Sequence, residues 1–135
     1  MPLQLLPSGP ADARRIAQIE HEAYAPNPNN RILFPGPFPD NVLDYRAEEM
    51  ASSLKTDDSV RWLKVIDTEI EGDNGLVGFA QWNIWPSGAP TPKARVFGPG
   101  TNPAACEALF GGITEGRARL MGDMPYVCKC FQIFH

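Results

Sequence analysis

Leu76-Val77-Gly78-Phe79-Ala80-Gln81-Trp82-Asn83-Ile84-Trp85 is the stretch on which the fold turns. It mixes aromatic and β-branched residues with small ones, which suits a pleated, largely buried strand. The run before it, Val60-Arg61-Trp62-Leu63-Lys64-Val65-Ile66-Asp67, has the alternation of a second strand, and Glu71-Gly72-Asp73-Asn74-Gly75 between them has turn chemistry. So short a connection joins strands antiparallel, so a hairpin is expected. Gly78 and Ala80 fall on one face of the later strand, where small residues suggest close approach by a helix and added bulk would cost about 1–3 kcal/mol.

Downstream, Pro86 to Gly100 reads as a loop, and Asn102-Pro103 as a helix cap with Pro at the first helical position. Cys106, Leu109, Phe110, Ile113, Leu120 and Met121 keep helical spacing, but Gly111-Gly112 and Gly116 weaken the middle, so a bent or broken helix is expected. Gly122-Asp123-Met124-Pro125 ends it, and Tyr126 to His135 alternates like a final strand. The sequence stops inside that strand, which is read as an incomplete fold. Val127, Phe131, Ile133 and Phe134, with Lys129 the one charged residue among them, make self-association through the terminal strand an expected outcome.

Upstream, residues 3–6 read as a short first strand. Ser8-Gly9-Pro10-Ala11-Asp12 supplies a helix start, and Ala13, Ile16, Ala17, Glu20, Ala23 and Tyr24 share one helical face up to about Ala25. Residues 26–39 hold five prolines and a glycine around Arg31-Ile32-Leu33-Phe34, and no regular structure is expected there. Asp40 or Asn41 caps a further helix with Leu43, Ala47, Met50 and Leu54 on one side.

The 135 residues form one domain in this reading, residues 1–135, of α+β class: an incomplete, mostly antiparallel sheet of about four strands with two to three helices. Twelve basic against sixteen acidic residues, a net charge of -4, and no dense Lys/Arg run exclude nucleic acid as a partner. No apolar run approaches the ~20 residues of a membrane span, and the amino terminus lacks a secretory pattern, so a cytoplasmic protein with no membrane partner is expected. Cys106, Cys128 and Cys130 read as reduced thiols, and one Cys-x-Cys near His135 or His21 is too little for a metal site, so none is assigned.

Four stretches carry a resemblance: Pro10-Ala11-Asp12-Ala13, Arg31-Ile32-Leu33-Phe34-Pro35-Gly36-Pro37, Arg61-Trp62-Leu63-Lys64-Val65 and Val77-Gly78-Phe79-Ala80-Gln81-Trp82. Together they resemble the amino-terminal part of the fungal-type GCN5-related N-acetyltransferases, over about residues 3–127. The resemblance implies a GNAT-like fold, acetyl transfer from acetyl-coenzyme A, and an amine substrate, either a small molecule or a peptide amine. In that family a Gln/Arg-x-x-Gly-x-Gly/Ala turn after the fourth strand cradles the cofactor pyrophosphate on backbone N–H groups at a helix start. These 135 residues contain no such turn, and Phe97-Gly98-Pro99-Gly100 is no substitute because it precedes the wrong element and Pro99 lacks an N–H. Weak binding of acetyl-coenzyme A and weak or absent activity are therefore expected.

By the same resemblance, Tyr24, Arg31, Phe34, Trp82 and Asn83 are the substrate-side residues, with no catalytic residue assigned. Each has a plainer alternative: the three aromatics as core, and Arg31 lying along its loop. Glu20, His21 and Glu22 are adjacent on a helix and cannot converge on one proton. Three functions stay open: a weakened acyltransferase, a non-catalytic module that binds a small molecule or protein, and a fragment without a function of its own.

Overall fold

The hairpin forms as the alternation requires. In the computed structural model, which describes the backbone of residues 2–134 and the side chains of residues 2–129, β2 (Val60–Asp67) pairs antiparallel with β3 (Leu76–Trp85). Val60 lies opposite Asn83, Trp62 opposite Gln81 and Lys64 opposite Phe79, with a bulge between Val65 and Ile66. β1 (Leu3–Pro7) adds antiparallel to β2, and β4 (Tyr126–Phe134) completes a four-stranded sheet of order β1-β2-β3-β4. The fold is α+β, with the expected four strands.

Period 2 divides the hairpin's side chains between two faces. One carries Val60, Trp62, Lys64, Phe79, Gln81 and Asn83; the other carries Arg61, Leu63, Val65, Gly78, Ala80 and Trp82. Val60, Trp62 and Phe79 form a buried cluster with Ala13, Ile16, Ala17 and Ile19 of α1 (Ala13–Tyr24) and Ala47 and Met50 of α3 (Val42–Thr56). Trp62 and Phe79 pack with ring centroids 5.3 Å apart. Burying each of the larger side chains stabilises the fold by about 1.5–3 kcal/mol.

The start of α1 is built as its sequence suggests. Residues Pro10–Asp12 form a 3-10 turn, and the Asp12 carboxylate accepts from Gly9 N–H (2.8 Å) and the Ser8 hydroxyl (3.1 Å). Asp12 also pairs with the Lys64 ammonium at 2.7 Å, tying the helix start to β2.

Residues 26–39 depart from expectation, because α2 (Pro28–Leu33) is a short helix. Its start explains why: Asn27 accepts from Asn29 N–H at 2.9 Å, and Pro28 occupies the first helical turn, where its missing N–H costs nothing.

Contacts gather the chain into two compact units: Met1–Ala25, Asn41–Ile84 and Val127–His135 in the first, Pro26–Asp40 and Trp85–Tyr126 in the second. Within the second, Asn102 N–H donates to Leu33 O (2.8 Å) and Gly36 N–H to Gly100 O (2.9 Å), holding the loop of residues 86–102 beside α2. The expected broken helix is α4 (Pro103–Cys106), a π-helical segment Glu107–Gly111, and α5 (Gly112–Met121). The Glu107 carboxylate, which pairs with Arg95 at 3.4 Å, lies over Gly111. Arg95 also donates to Phe110 O at 3.0 Å and to the Thr114 hydroxyl, stapling its loop to the π-segment.

No described helix is long and apolar enough to cross a membrane. Cys106 is buried and donates weakly to Leu33 O (3.4 Å), and neither it nor Cys128 is in a disulfide. No group of three or more metal-ligating side chains occurs among the described residues; Cys130 and His135, named above as metal candidates, lie outside the described side chains.

Candidate functional site

Tyr24 closes α1 one turn after Glu20, and the pair sits where α1 meets α3. Arg46 of α3 reaches Glu20 through two hydrogen bonds, 2.8 Å from Nε and 3.0 Å from Nη2, and a third at 3.4 Å to Glu49. Burial disfavours the guanidinium's charge, but the hydrogen bonds and charge of Glu20 outweigh it and hold Arg46 above its ordinary pKa. Tyr24 is half-buried against the core cluster, and burial, reinforced by the Glu20 charge, raises its pKa. Its hydroxyl therefore keeps its proton at neutral pH and can act as a donor, not as a base.

The neighbours of Glu20 turn elsewhere. Glu22 accepts from Gln18 at 2.9 Å, and His21 is exposed, so these three residues do not form an acid/base group.

On β3, Trp82 and Asn83 are adjacent in sequence and project from opposite faces of the sheet. Asn83 faces the helix layer, is only 8% exposed, and donates to the Ser59 hydroxyl at 3.0 Å. Ser59 in turn donates from its hydroxyl (2.7 Å) and its backbone N–H (2.9 Å) to the Asp57 carboxylate. This chain of bonds fixes the turn between α3 and β2, which is a structural duty for a buried amide. Trp82, half-buried, shares its face with Arg61, its cross-strand partner. A small ligand on one face meets Trp82 or Asn83, not both.

Arg31 and Phe34 belong to the second unit, Arg31 exposed in the last turn of α2 and Phe34 half-buried as its C-cap. Tyr24, Trp82 and Asn83 belong to the first. The second unit also carries an aromatic corner that the sequence did not single out: Trp85 and Tyr126 meet edge-on at 4.9 Å, with the Arg117 guanidinium 5.6 Å from the Trp85 ring centroid. Only the pairing of strand ends could have revealed it.

A pyrophosphate needs free backbone N–H groups at a helix start. Among the described residues one N–H is already taken at each of three such starts: Asp12 accepts from Gly9 N–H (2.8 Å), Asn27 from Asn29 N–H (2.9 Å), and Asn102 from Ala105 N–H (3.2 Å). The first turn of α3 carries the Asp44 carboxylate, which opposes an anion. Gly98-Pro99-Gly100 lies in a turn closed by the Thr101 hydroxyl donating to Gly98 O at 2.7 Å. A Cβ on Gly100, whose φ is +81°, would come within 2.6 Å of the Phe38 ring, so this glycine serves close packing.

No family model matches the chain, and no curated protein matches it. It is similar to the solved structure of "histone acetyltransferase HPA2 and related acetyltransferase" from Corynebacterium glutamicum ATCC 13032, at 21% identity over 88% of this chain and 72% of that one, with a TM-score of 0.42. It is also similar to a protein from Arthrobacter sp. FB24 whose name assigns it to the acetyltransferases, at 21% identity over 85% of this chain and 69% of that one, with a TM-score of 0.39.

Proposed function

We propose that this chain is an N-acyltransferase-like domain of the GCN5-related type that keeps an amine-binding side and binds acetyl-coenzyme A weakly. The observation that carries this assignment is the sheet: four antiparallel strands in sequential order, with α1 and α3 side by side on one face, in the order that the sequence resemblance implies. The two units are interleaved along the chain, which suits parts of one domain. Tyr24, with a hydroxyl that stays protonated and a ring that can face a cation, is the residue best suited to meet an ammonium group from the helix side. Asn83 lies on the same side of the sheet, and Trp82 would serve a ligand on the other. Arg31 and Phe34 are the substrate-side residues proposed for the second unit.

Side-chain capping at three helix starts favours a second reading, a module derived from this fold that binds an amine without acyl transfer. Two measurements on the purified chain separate the two. Calorimetry with acetyl-coenzyme A is expected to give a Kd no tighter than about 1 mM, roughly -4 kcal/mol. Radiolabelled acetyl transfer to a panel of small amines and amine-bearing peptides, run beside direct binding of the same panel, decides between enzyme and binding module. Turnover supports the enzyme and saturable binding without turnover the module. Neither binding nor turnover overturns both, and micromolar affinity for the cofactor overturns the proposal that it binds weakly.

A further inference from the structure

We propose that the hollow between the first half of α1 and the β2–β3 turn binds a small aminocarboxylate, a molecule carrying one carboxylate and one ammonium group. The cavity measures about 630 Å³ and lies wholly within the first unit. That volume is ordinary for a small-ligand site. None of Tyr24, Arg31, Phe34, Trp82 and Asn83 lines it, so the proposal holds whether or not the chain transfers an acyl group.

The charges on its walls are the argument. Three basic side chains (Arg14, Arg15, Lys64) and three acidic ones (Asp12, Glu71, Asp73) line it. Two of the bases are committed, Lys64 to Asp12 at 2.7 Å and Arg14 to Asp44 at 2.9 Å. Arg15 is tethered through Nε to Leu76 O at 3.3 Å, which leaves both terminal amino groups of its guanidinium without a partner among the described residues. Glu71 and Asp73, on the turn side of the same cavity, have no cation within ion-pair distance among the described residues. An unpaired guanidinium and two unpaired carboxylates thus line one hollow without meeting.

A simple anion held by Arg15 would face Asp12, Glu71 and Asp73, and a simple cation held by the carboxylates would face Arg15 and Lys64. Each would meet repulsion that offsets its attraction. A molecule bearing both charges pairs with each set at once, its carboxylate taken by the planar fork of Arg15 and its ammonium by Glu71 and Asp73. Ile66 and Leu76, also in the lining, offer apolar surface to the methylenes between the charges.

The probes are 4-aminobutanoate and 6-aminohexanoate, titrated into the full chain and followed by amide chemical shifts and calorimetry. At least one is expected to saturate, shifting amides in residues 11–18 and 71–76, with butanoate, hexanoate, butylamine and hexylamine each at least tenfold weaker. Arg15→Met, and separately Glu71→Gln with Asp73→Asn, are each expected to weaken it at least tenfold. The second variant lies on an exposed turn and keeps the test valid if Arg15→Met does not fold. No saturation by either probe, a singly charged control that binds as well, or binding unchanged in the turn variant overturns the proposal. Acetyl transfer is not a readout here, so loss of the acyltransferase assignment leaves this test intact.

Discussion

Replacing Arg46 by Met tests whether the α1–α3 clamp holds the helix layer together. The methionine keeps an apolar stem of similar reach and deletes the guanidinium, so packing is largely preserved and the lost term is electrostatic. Two charge-assisted hydrogen bonds, at 2.8 and 3.0 Å, end on a Glu20 carboxylate whose side chain is 15% exposed, while Arg46 itself is 37% exposed. Breaking a fully buried pair costs about 3–5 kcal/mol, and breaking a surface pair about 0–1. The half-open arginine side places this pair between, at about 2 kcal/mol. Glu49, at 3.4 Å and exposed, adds little.

For a chain of this size about 2 kcal/mol corresponds to a fall in Tm of roughly 6–10 °C. Glu20→Gln keeps a neutral acceptor for the guanidinium and loses the charge-charge attraction, so it is expected to cost about 1 kcal/mol, and in the double variant it removes the carboxylate that Arg46→Met strands. The double variant is expected to be no less stable than Arg46→Met alone, a coupling of about 1 kcal/mol. Urea unfolding followed by circular dichroism gives all four corners of the cycle, with m-values checking that the unfolded reference is unchanged. An Arg46→Met variant within about 0.5 kcal/mol of the parent, or additivity within about 0.3 kcal/mol, would refute the reasoning.

Three other outcomes are expected. Burial pushes the Asp12 carboxyl up, but the Lys64 ammonium, Gly9 N–H and Ser8 hydroxyl outweigh it and hold its pKa below the ordinary aspartate value. Its contribution to stability is therefore full above about pH 4, the unfolded value, and is lost as pH falls through the lower folded value; Lys64→Met should flatten that acid limb in urea titrations from pH 2 to 5. The indole N–H of buried Trp62 has no hydrogen-bond partner among the described residues, a state that costs about 1–3 kcal/mol, so Trp62→Phe is expected to lie within about 1 kcal/mol of the parent by urea melts, whereas Trp62→Ala should lose about 3–5. β1 is an edge strand whose Leu5 is 67% exposed, so concentration-dependent association through sheet edges is expected; light scattering should show Leu5→Lys suppressing it, and a parent that stays monomeric at high concentration would refute this.

Local rules carried the elements that local chemistry decides. The strands of the hairpin followed from alternation over Val60–Asp67 and Leu76–Trp85, and the broken final helix from Gly111-Gly112. α2 is hidden by the proline content of residues 26–39, because Pro28 after Asn27 is a helix start and not an interruption. The opposite facing of Trp82 and Asn83 was implicit in period 2, but which of them would be sealed under helices was not. That depended on the register of β2 against β3, which brings Ser59, 24 residues away in sequence, within 3.0 Å of the Asn83 amide.

The candidate sites lie beyond local pattern for the same reason. Glu20 and Arg46 are 26 residues apart, and nothing in either helix alone says that their exposed-looking charges meet across the α1–α3 contact. Lys64 and Asp12 are 52 apart and read separately as a strand charge and a helix-start acid. Arg15 looks like a solvated helix residue until the β2–β3 turn is placed, since what distinguishes it is that no carboxylate among the described residues is within reach while two unpaired ones line the same hollow. Charges of opposite sign that the fold brings to one hollow and leaves unpaired are where a ligand bearing both signs has partners to gain. The polar chemistry of this chain is thus set by sheet register and helix docking, and the residues to mutate first are those whose partners lie farthest away in sequence.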